Sequence, residues 1–277
     1  VQEAAARDKR VIPMEKKPVF FSETHLRAYL FDRARRKMTE GDWFLRMDAD
    51  EFHHLSPKDF VEQRMRRHET LAYHQYYDFR LLRSEAAAWE SGEETVADRS
   101  RPIEQRRRHY TVSVYSEPRL CRYRKTMQWP AGISFPYNAG YVAKERLPIR
   151  HYPHRDPLQL QRRCRLRALM MADPTHDGQS YLHWLEDDWK SFLTADDAPG
   201  LLYWEPGCEL PQVRQLNHLK KGLARLAQRV LHGTLLPVMD ARRPTFGPEQ
   251  NPVPLPEDLV RRLETLLDAQ NDGGLTA

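Results

Sequence analysis

The stretch Asp42-Trp43-Phe44-Leu45-Arg46-Met47-Asp48-Ala49-Asp50-Glu51-Phe52 decides the fold prediction for this chain. A short apolar run breaks into acidic residues, as a strand does where it leaves a sheet and enters a loop. Ser56-Pro57-Lys58-Asp59 follows and has the cap, the proline and the acid expected at a helix N-terminus. This order of strand, acidic loop and helix predicts an α/β domain with its ligand at the end of the strand.

Apolar periodicity and turn residues extend the prediction along the chain. Helices are expected at 22–38, 56–65, 156–172, 180–193, 216–230 and 259–267, and strands at 71–82, 110–115 and 120–123. The last two strands are expected to pair with each other. Residues 85–108 are charged without a clear period, and we expect a mobile loop there.

Composition excludes several classes of protein. The 277 residues are 40% hydrophobic and 30% charged, which is typical of a folded chain rather than a disordered one. No stretch approaches the roughly 18 apolar residues of a membrane span. Cys121, Cys164 and Cys208 are odd in number and widely spaced, so we expect free thiols and a cytoplasmic protein. The net charge of +5 permits nucleic acid, anionic lipid or phosphorylated ligands.

Asp48 and Asp50 are the first candidate site residues. On an extended chain, side chains two residues apart point to the same side, so both carboxylates would share one face. Such a pair can hold Mg²⁺ or Mn²⁺ while water and substrate phosphates complete the shell. A divalent cation and a diphosphate are therefore the expected ligands, and solvated surface acids are the alternative.

Two imidazoles and two guanidiniums within Ile149-Arg150-His151-Tyr152-Pro153-His154-Arg155 form the second candidate. A neutral His is a suitable further ligand for the same metal. Arg side chains and the predicted helix N-terminus at Asp156 both attract phosphate oxygens. A buried, hydrogen-bonded histidine is the alternative for either imidazole.

Together with Arg119-Leu120-Cys121-Arg122-Tyr123-Arg124, these two stretches resemble bacterial family-2-like glycosyltransferases of the GT-A type. The resemblance covers about residues 10–195 and implies a mixed sheet flanked by helices. It implies that Asp48 faces the sugar or ribose, that Asp50 binds the metal, and that His151 binds the metal or the diphosphate. Arg150 and Arg155 are the further candidates for the donor phosphates.

The resemblance also implies the domain organisation. The strand, helix and strand that bind the nucleotide base in such enzymes are not recognisable, so we expect residues 1–195 to form a GT-A domain that lacks this amino-terminal unit. Residues 196–277 are expected to form a helical extension with a connector that contains six prolines between 237 and 256. A non-catalytic glycosyltransferase remnant is therefore an alternative.

The expected reaction is transfer of a sugar from a nucleotide-sugar donor to a cell-envelope glycan or lipid-linked acceptor, inverting by family resemblance. A carboxylate should deprotonate the acceptor hydroxyl, and Glu51 and Asp78 are the candidates, with a structural role as the alternative for each. Trp129 and the turn at Gly132 are the candidates for acceptor binding, and ordinary core packing is the alternative for Trp129.

Arginine runs at 99–108 and 162–167 leave further alternatives open. They are expected to contact an anionic acceptor, or an anionic membrane at its inner face, and otherwise to be solvated. A basic nucleic-acid-binding protein is a rival interpretation, although no recognised nucleic-acid motif is present. A metal-dependent phosphohydrolase using Asp48 and Asp50 is another, with His53 and His54 as additional ligands.

Overall fold

A seven-stranded open sheet forms the centre of the protein. The structure is a computed structural model that describes residues 2–11, 23–130, 132–171 and 189–211, and six isolated positions at 223, 226, 227, 230, 231 and 261. Its helices are α1 (Gln2–Arg7), α2 (Glu23–Arg35), α3 (Pro57–Gln63), α4 (Arg83–Ser91), α5 (Ile103–Arg106) and α6 (Pro157–Met171). Its strands are β1 (Trp43–Leu45), β2 (Glu51–His53), β3 (Leu71–Phe79), β4 (His109–Val112), β5 (Pro118–Arg122), β6 (Leu147–His151) and β7 (Leu202–Tyr203).

Strand β3 joins the two halves of the sheet. Its first residues, Leu71–Tyr73, pair antiparallel with β5, which pairs antiparallel with β1. Its later residues, His74–Asp78, run parallel to β6, and Tyr77–Phe79 pair antiparallel with β4. Strand β2 pairs with β6, and β7 pairs with β4, both antiparallel. The protein is therefore mixed α/β with a mostly antiparallel sheet.

The two faces of β3 differ in chemistry because alternate side chains of a strand point to opposite faces. Tyr77 and Phe79 belong to an apolar cluster with Tyr110, Tyr152, Trp204 and Leu210. The Phe79 and Tyr152 rings stack with their centroids 4.5 Å apart. The opposite face of β3 carries His74, Tyr76 and Asp78. The aromatic face is core, and the polar face lies beneath the candidate site.

The predicted elements with strong local signals are confirmed. The structure has α2, α3 and α6 where capping residues and apolar periodicity predict helices, and it has β1 and β3 where strands are predicted. Proline occupies the first turn of α3, as predicted, but the Ser56 side chain makes no capping hydrogen bond.

Residues 85–108 are not the loop that the sequence predicts. They contain most of α4, a short 3₁₀ helix and α5. Glu85 accepts a hydrogen bond from the Leu82 backbone at 2.9 Å, and Gly92 closes α4 with a φ of 84°. Arg107 is buried and pairs with Glu94 at 3.0 Å. Ion pairs between residues distant in the sequence thus hold together a segment without a clear period.

The predicted pairing of residues 110–115 with residues 120–123 is also wrong. Strand β5 lies between β1 and β3, whereas β4 pairs with the far end of β3 and with β7. The reason is the length of β3, whose two ends accept different antiparallel partners across the register shift between Ala72 and Tyr73. Proximity in the sequence therefore does not decide this pairing.

Residues 202–211 continue the sheet and its core. Strand β7 pairs with β4, and Trp204 and Leu210 pack against the aromatic face of β3. The predicted division between residues 195 and 196 stays a prediction. Most of each predicted helix at 180–193, 216–230 and 259–267 lies outside the described residues; Trp189–Phe192 form a 3₁₀ turn.

All three cysteines are free, as predicted; Cys121 and Cys164 are buried, and Cys208 is exposed. Among the described helices, none combines the length and the apolar character needed to cross a bilayer.

Two glycines with positive φ give a matched test of packing at the start of β3. Gly132 has a φ of +79° and open space where a Cβ atom would lie, whereas Gly140 has a φ of +103° and faces the Thr70 hydroxyl. That hydroxyl is fixed because it accepts a hydrogen bond from the Tyr141 backbone at 2.8 Å. We expect G132A to lower the free energy of unfolding by about 1–2 kcal/mol. G140A should lower the free energy of unfolding by about 1–3 kcal/mol more than G132A does, because its Cβ atom would also meet the Thr70 hydroxyl. Urea denaturation measures both losses, and equal losses would contradict the described packing.

Candidate functional site

The loop between β1 and β2 carries both acids of the predicted metal motif. Ala49 and Asp50 form a turn, so the chain is not extended between Asp48 and Asp50. The Glu51 side chain closes the loop by accepting a hydrogen bond from the Asp48 backbone at 3.0 Å. The extended segment from which the shared face of the two carboxylates was predicted is therefore absent.

Asp48 faces two arginines rather than Asp50. Its Oδ2 lies 3.0 Å from Nη1 of Arg119, and its Oδ1 lies 3.9 Å from Nη1 of Arg46. Partial burial would raise the pKa of Asp48, but the charges of Arg119 and Arg46 outweigh it and lower the pKa. Asp48 is thus an ionised, half-exposed carboxylate already balanced by protein cations.

Arg119 is the centre of a buried ionic network. Its side chain is 4% exposed, and it contacts Glu51 at 3.0 Å and Glu117 at 2.8 Å in addition to Asp48. Arg46 pairs with Glu117 as well. The network ties β5 to the loop before β2.

Glu51, a predicted candidate for the catalytic base, belongs to this network. Its side chain is 2% exposed, and both of its carboxylate oxygens contact Arg119. Burial raises its pKa in spite of the opposing charge of Arg119. A carboxylate enclosed in this way is not presented to an acceptor hydroxyl, so the placement of Glu51 favours a structural role.

Asp78, His151 and Asp50 lie in line on the polar face of the sheet. Asp78 and His151 are direct partners in the parallel pairing of β3 with β6, and Oδ1 of Asp78 is 2.7 Å from Nδ1 of His151. The other ring nitrogen, Nε2, is 3.9 Å from Oδ2 of Asp50. Arg163 of α6 approaches the same Asp50 oxygen at 4.0 Å. Two of the three predicted metal ligands, Asp50 and His151, are therefore together.

The charge on His151 depends on these acids. Burial lowers the pKa of His151, but the hydrogen bond and charge of Asp78, with Asp50 and Glu51, outweigh it and raise the pKa overall. Since an ionised carboxylate only accepts hydrogen bonds, Nδ1 of His151 donates to Asp78. In the neutral imidazole, the lone pair of Nε2 then faces Asp50.

The predicted phosphate-binding arginines lie apart from each other. Arg150 alternates with His151 along β6, so it points to the aromatic face, where it pairs with Glu104 at 2.6 Å and covers the Trp204 ring at 4.7 Å. The prediction that it accompanies His151 at the donor site is not supported. Arg155 instead lines a cavity beside α6.

Trp129 and Gly132, the predicted acceptor-binding residues, are not part of the polar face. Trp129 packs in a core cluster with Phe31 and Tyr123, and its ring nitrogen donates to the Ile133 carbonyl at 2.8 Å. Gly132 lies in the turn that follows. Core packing, the ordinary alternative for Trp129, is what the structure has.

His53 and His54 do not join Asp50 either. The His53 ring packs against His74, with centroids 5.5 Å apart, and His54 lies 3.5 Å from Glu209. His154 is buried, and its burial, with Arg163 and Arg80, lowers its pKa to about 3. Within the described ranges, no group of three or more His, Cys, Asp or Glu side chains is arranged to hold a metal ion.

Several site residues have no assigned role in the sequence prediction. These are Tyr76, Glu117 and Arg119, whereas Arg163 was expected only as a member of the arginine run at 162–167. The available signal was the alternation of His74, Tyr76 and Asp78 along a buried strand, together with charged residues in Glu117-Pro118-Arg119. Buried polar residues on one face of a strand are uncommon in a structural core and point to a site.

Comparison with known proteins gives no further assignment: no protein-family model, curated protein or solved structure matches this chain.

Removal of Arg119 tests the buried network. R119M leaves Glu51 buried without its arginine partner and removes one of the arginines that pair with Glu117, which should lower the free energy of unfolding by about 3–5 kcal/mol in chemical denaturation. Arg122 on the same strand is exposed, and its R122M variant should change stability by no more than about 0.5 kcal/mol. Similar losses in the two variants would show that Arg119 is not the centre of the network.

The titration of His151 tests the Asp78 contact in the metal-free protein. We expect NMR to give a pKa above the ordinary 6.5 for His151 and a lower value in D78N. Because the folded pKa is raised, protonated His151 stabilises the fold fully below about pH 6.5, and this contribution is lost as the pH rises through the folded value. His154 is the internal control, since its pKa of about 3 keeps it neutral over this range. An unchanged His151 titration in D78N would contradict the contact.

Proposed function

We propose that this protein is a metal-assisted glycosyltransferase that uses a nucleotide-sugar donor. The observation that supports it best is the line of Asp78, His151 and Asp50, in which a carboxylate orients an imidazole towards a second carboxylate. A ligating histidine usually donates its other ring N–H to a carboxylate or carbonyl, as His151 does to Asp78. The resemblance of the stretches that carry these residues to GT-A enzymes supplies the reaction class.

Asp50 and His151 lie close enough together to share a divalent cation as its protein ligands. Two ligands that each lie about 2.1 Å from one ion are separated by at most about 4.2 Å. The 3.9 Å between Asp50 Oδ2 and His151 Nε2 is within that limit. Mg²⁺ is commonly bound through one or two carboxylates and takes the rest of its ligands from water and substrate phosphates, so a third protein ligand from Asp48 is not needed, and an imidazole ligand favours Mn²⁺ over Mg²⁺. When bound, the cation would supply Lewis-acid stabilisation of a departing nucleoside diphosphate.

The remaining residues have separate tasks in this proposal. Asp78 is a positioning residue that holds the tautomer and orientation of His151. Arg163, 4.0 Å from Asp50, brings a positive charge to the diphosphate side. Asp48, held ionised by Arg119 and 45% exposed, accepts hydrogen bonds from the sugar or ribose hydroxyls.

The acceptor is proposed to be a cell-envelope glycan or a lipid-linked glycan, with inversion at the transferred carbon. His53 and His54 lie away from Asp50, so the phosphohydrolase alternative loses its additional ligands. The nucleic-acid alternative loses Arg106 and Arg107, which pair with Glu94 inside the protein. These alternatives, with the non-catalytic remnant, are outcomes of the experiments below.

Ligand-induced stabilisation tests the proposed donor site. Mn²⁺ with UDP or GDP should raise the melting temperature of the full chain, since a ligand at about 100 times its Kd adds about 2.7 kcal/mol to stability. D50N should abolish the shift because it removes a ligand charge. D197N is the matched control, since Asp197 is exposed and outside the site. A wild-type protein without any shift, or a D50N protein with the full shift, would overturn the metal and donor assignment.

Product analysis separates the remaining functions. A glycosyltransferase forms an acceptor conjugate from a labelled nucleotide sugar, and D50N should lose this product. Free sugar or phosphate without a conjugate would favour hydrolysis. Donor binding without either product would favour the non-catalytic remnant.

A further inference from the structure

A basic cavity lies beside the N-terminal part of α6. Its volume is about 280 Å³. The charged side chains that line it are Arg99, Arg101, Arg106, Arg155, Asp156 and Arg162. The lining thus contains five cations and one carboxylate.

Two of these arginines are already paired with acids of the protein. Arg99 makes a bidentate contact with Asp156 at 2.8 and 3.0 Å. Arg106 pairs with Glu94 at 2.8 Å. These pairs build the wall of the cavity, and the first of them neutralises the carboxylate that lines it.

Arg155 and Arg162 differ from these two. Within the residues that the structure describes, neither guanidinium has an acidic partner. Arg101 has only a weak contact, 3.4 Å from Asp98 at the surface. Three guanidiniums thus remain to bind an anion in the cavity, and Arg forms bidentate, charge-assisted hydrogen bonds with phosphate oxygens.

The size and the position of the cavity narrow the class of ligand that it can bind. Pockets for drug-sized molecules typically measure 300–1,000 Å³. A cavity of about 280 Å³ suits a phosphate group with a small attached moiety better than a whole nucleotide sugar. Arg162 lines the cavity while the next residue, Arg163, contacts Asp50. The cavity and the Asp50–His151 site therefore lie on neighbouring faces of α6.

We propose that this cavity is a second site, which binds the phosphate group of a small phosphorylated molecule or of a lipid headgroup through Arg155, Arg162 and Arg101. The proposal that this cavity binds phosphate is independent of glycosyl transfer. The further step, that the bound phosphate group belongs to the acceptor of that transfer, rests on the proposed function.

Isothermal titration of the full chain with inorganic phosphate and pyrophosphate, without a divalent cation, tests the site. We expect saturable binding that weakens at least about tenfold in R155Q/R162Q, because two charge-assisted contacts are removed. R165Q is the matched control, since Arg165 is an exposed residue of the same helix outside the cavity, and it should bind as the wild type does. The single variant R155Q keeps the test valid if the double variant does not fold. Arg155 is exposed, so R155Q should fold and should still bind phosphate more weakly than the wild type. The proposal is overturned if the wild type does not bind, or if R165Q weakens binding as much as the double variant.

Two further arms identify the source of the phosphate. A lipid source predicts co-sedimentation with phosphatidylcholine vesicles that contain phosphatidic acid, lost in R155Q/R162Q and absent with phosphatidylcholine alone. A free source predicts tighter binding of a sugar phosphate than of inorganic phosphate, without co-sedimentation. D50N should keep phosphate binding in either case, so a failure of the donor site is distinguishable from a failure of the cavity. Loss of phosphate binding in D50N would overturn the assignment of a second site.

Discussion

The guanidinium of Arg119, buried among three carboxylates, fixes the geometry of the candidate site. Desolvation costs several kcal/mol for each ion of such a network, and apolar side chains of equal volume can be as stabilising. Its contribution is therefore better understood as geometric. By holding Glu51, Glu117 and Asp48 at once, Arg119 sets where the loop between β1 and β2 turns.

This constraint separates the two acids of the Asp48-Ala49-Asp50 motif. Asp48 is drawn to Arg119, so Asp50 alone faces the nitrogen of His151. On the other side of the imidazole, Asp78 is supplied by the parallel pairing of β3 with β6. The site thus depends on one ionic network for its loop and on one strand register for its histidine.

The parts of the fold that could be predicted have local signals. Helices α3 and α6 begin at a proline after a residue type common at the N-cap, and β3 is rich in aromatic residues. The 85–108 segment could not be predicted, because its helices are stabilised by contacts such as Arg107 with Glu94. For the site, the motifs indicated Asp50 and His151, but the role of Asp78 required the β3–β6 register, which no local pattern specifies.

The arginine runs were ambiguous in the sequence for the same reason, because the tertiary structure decides which partner each arginine meets. Successive residues of a helix point about 100° apart, so neighbouring arginines can serve different parts of the molecule. Arg162 lines the basic cavity, whereas Arg163 reaches Asp50. Arg106 and Arg107 are used inside the protein. The net charge of +5 therefore does not describe one basic surface for nucleic acid. Among the described arginines, some form internal ion pairs and others line a small concave anion site, and a phosphate group fits that site better than a polymer does.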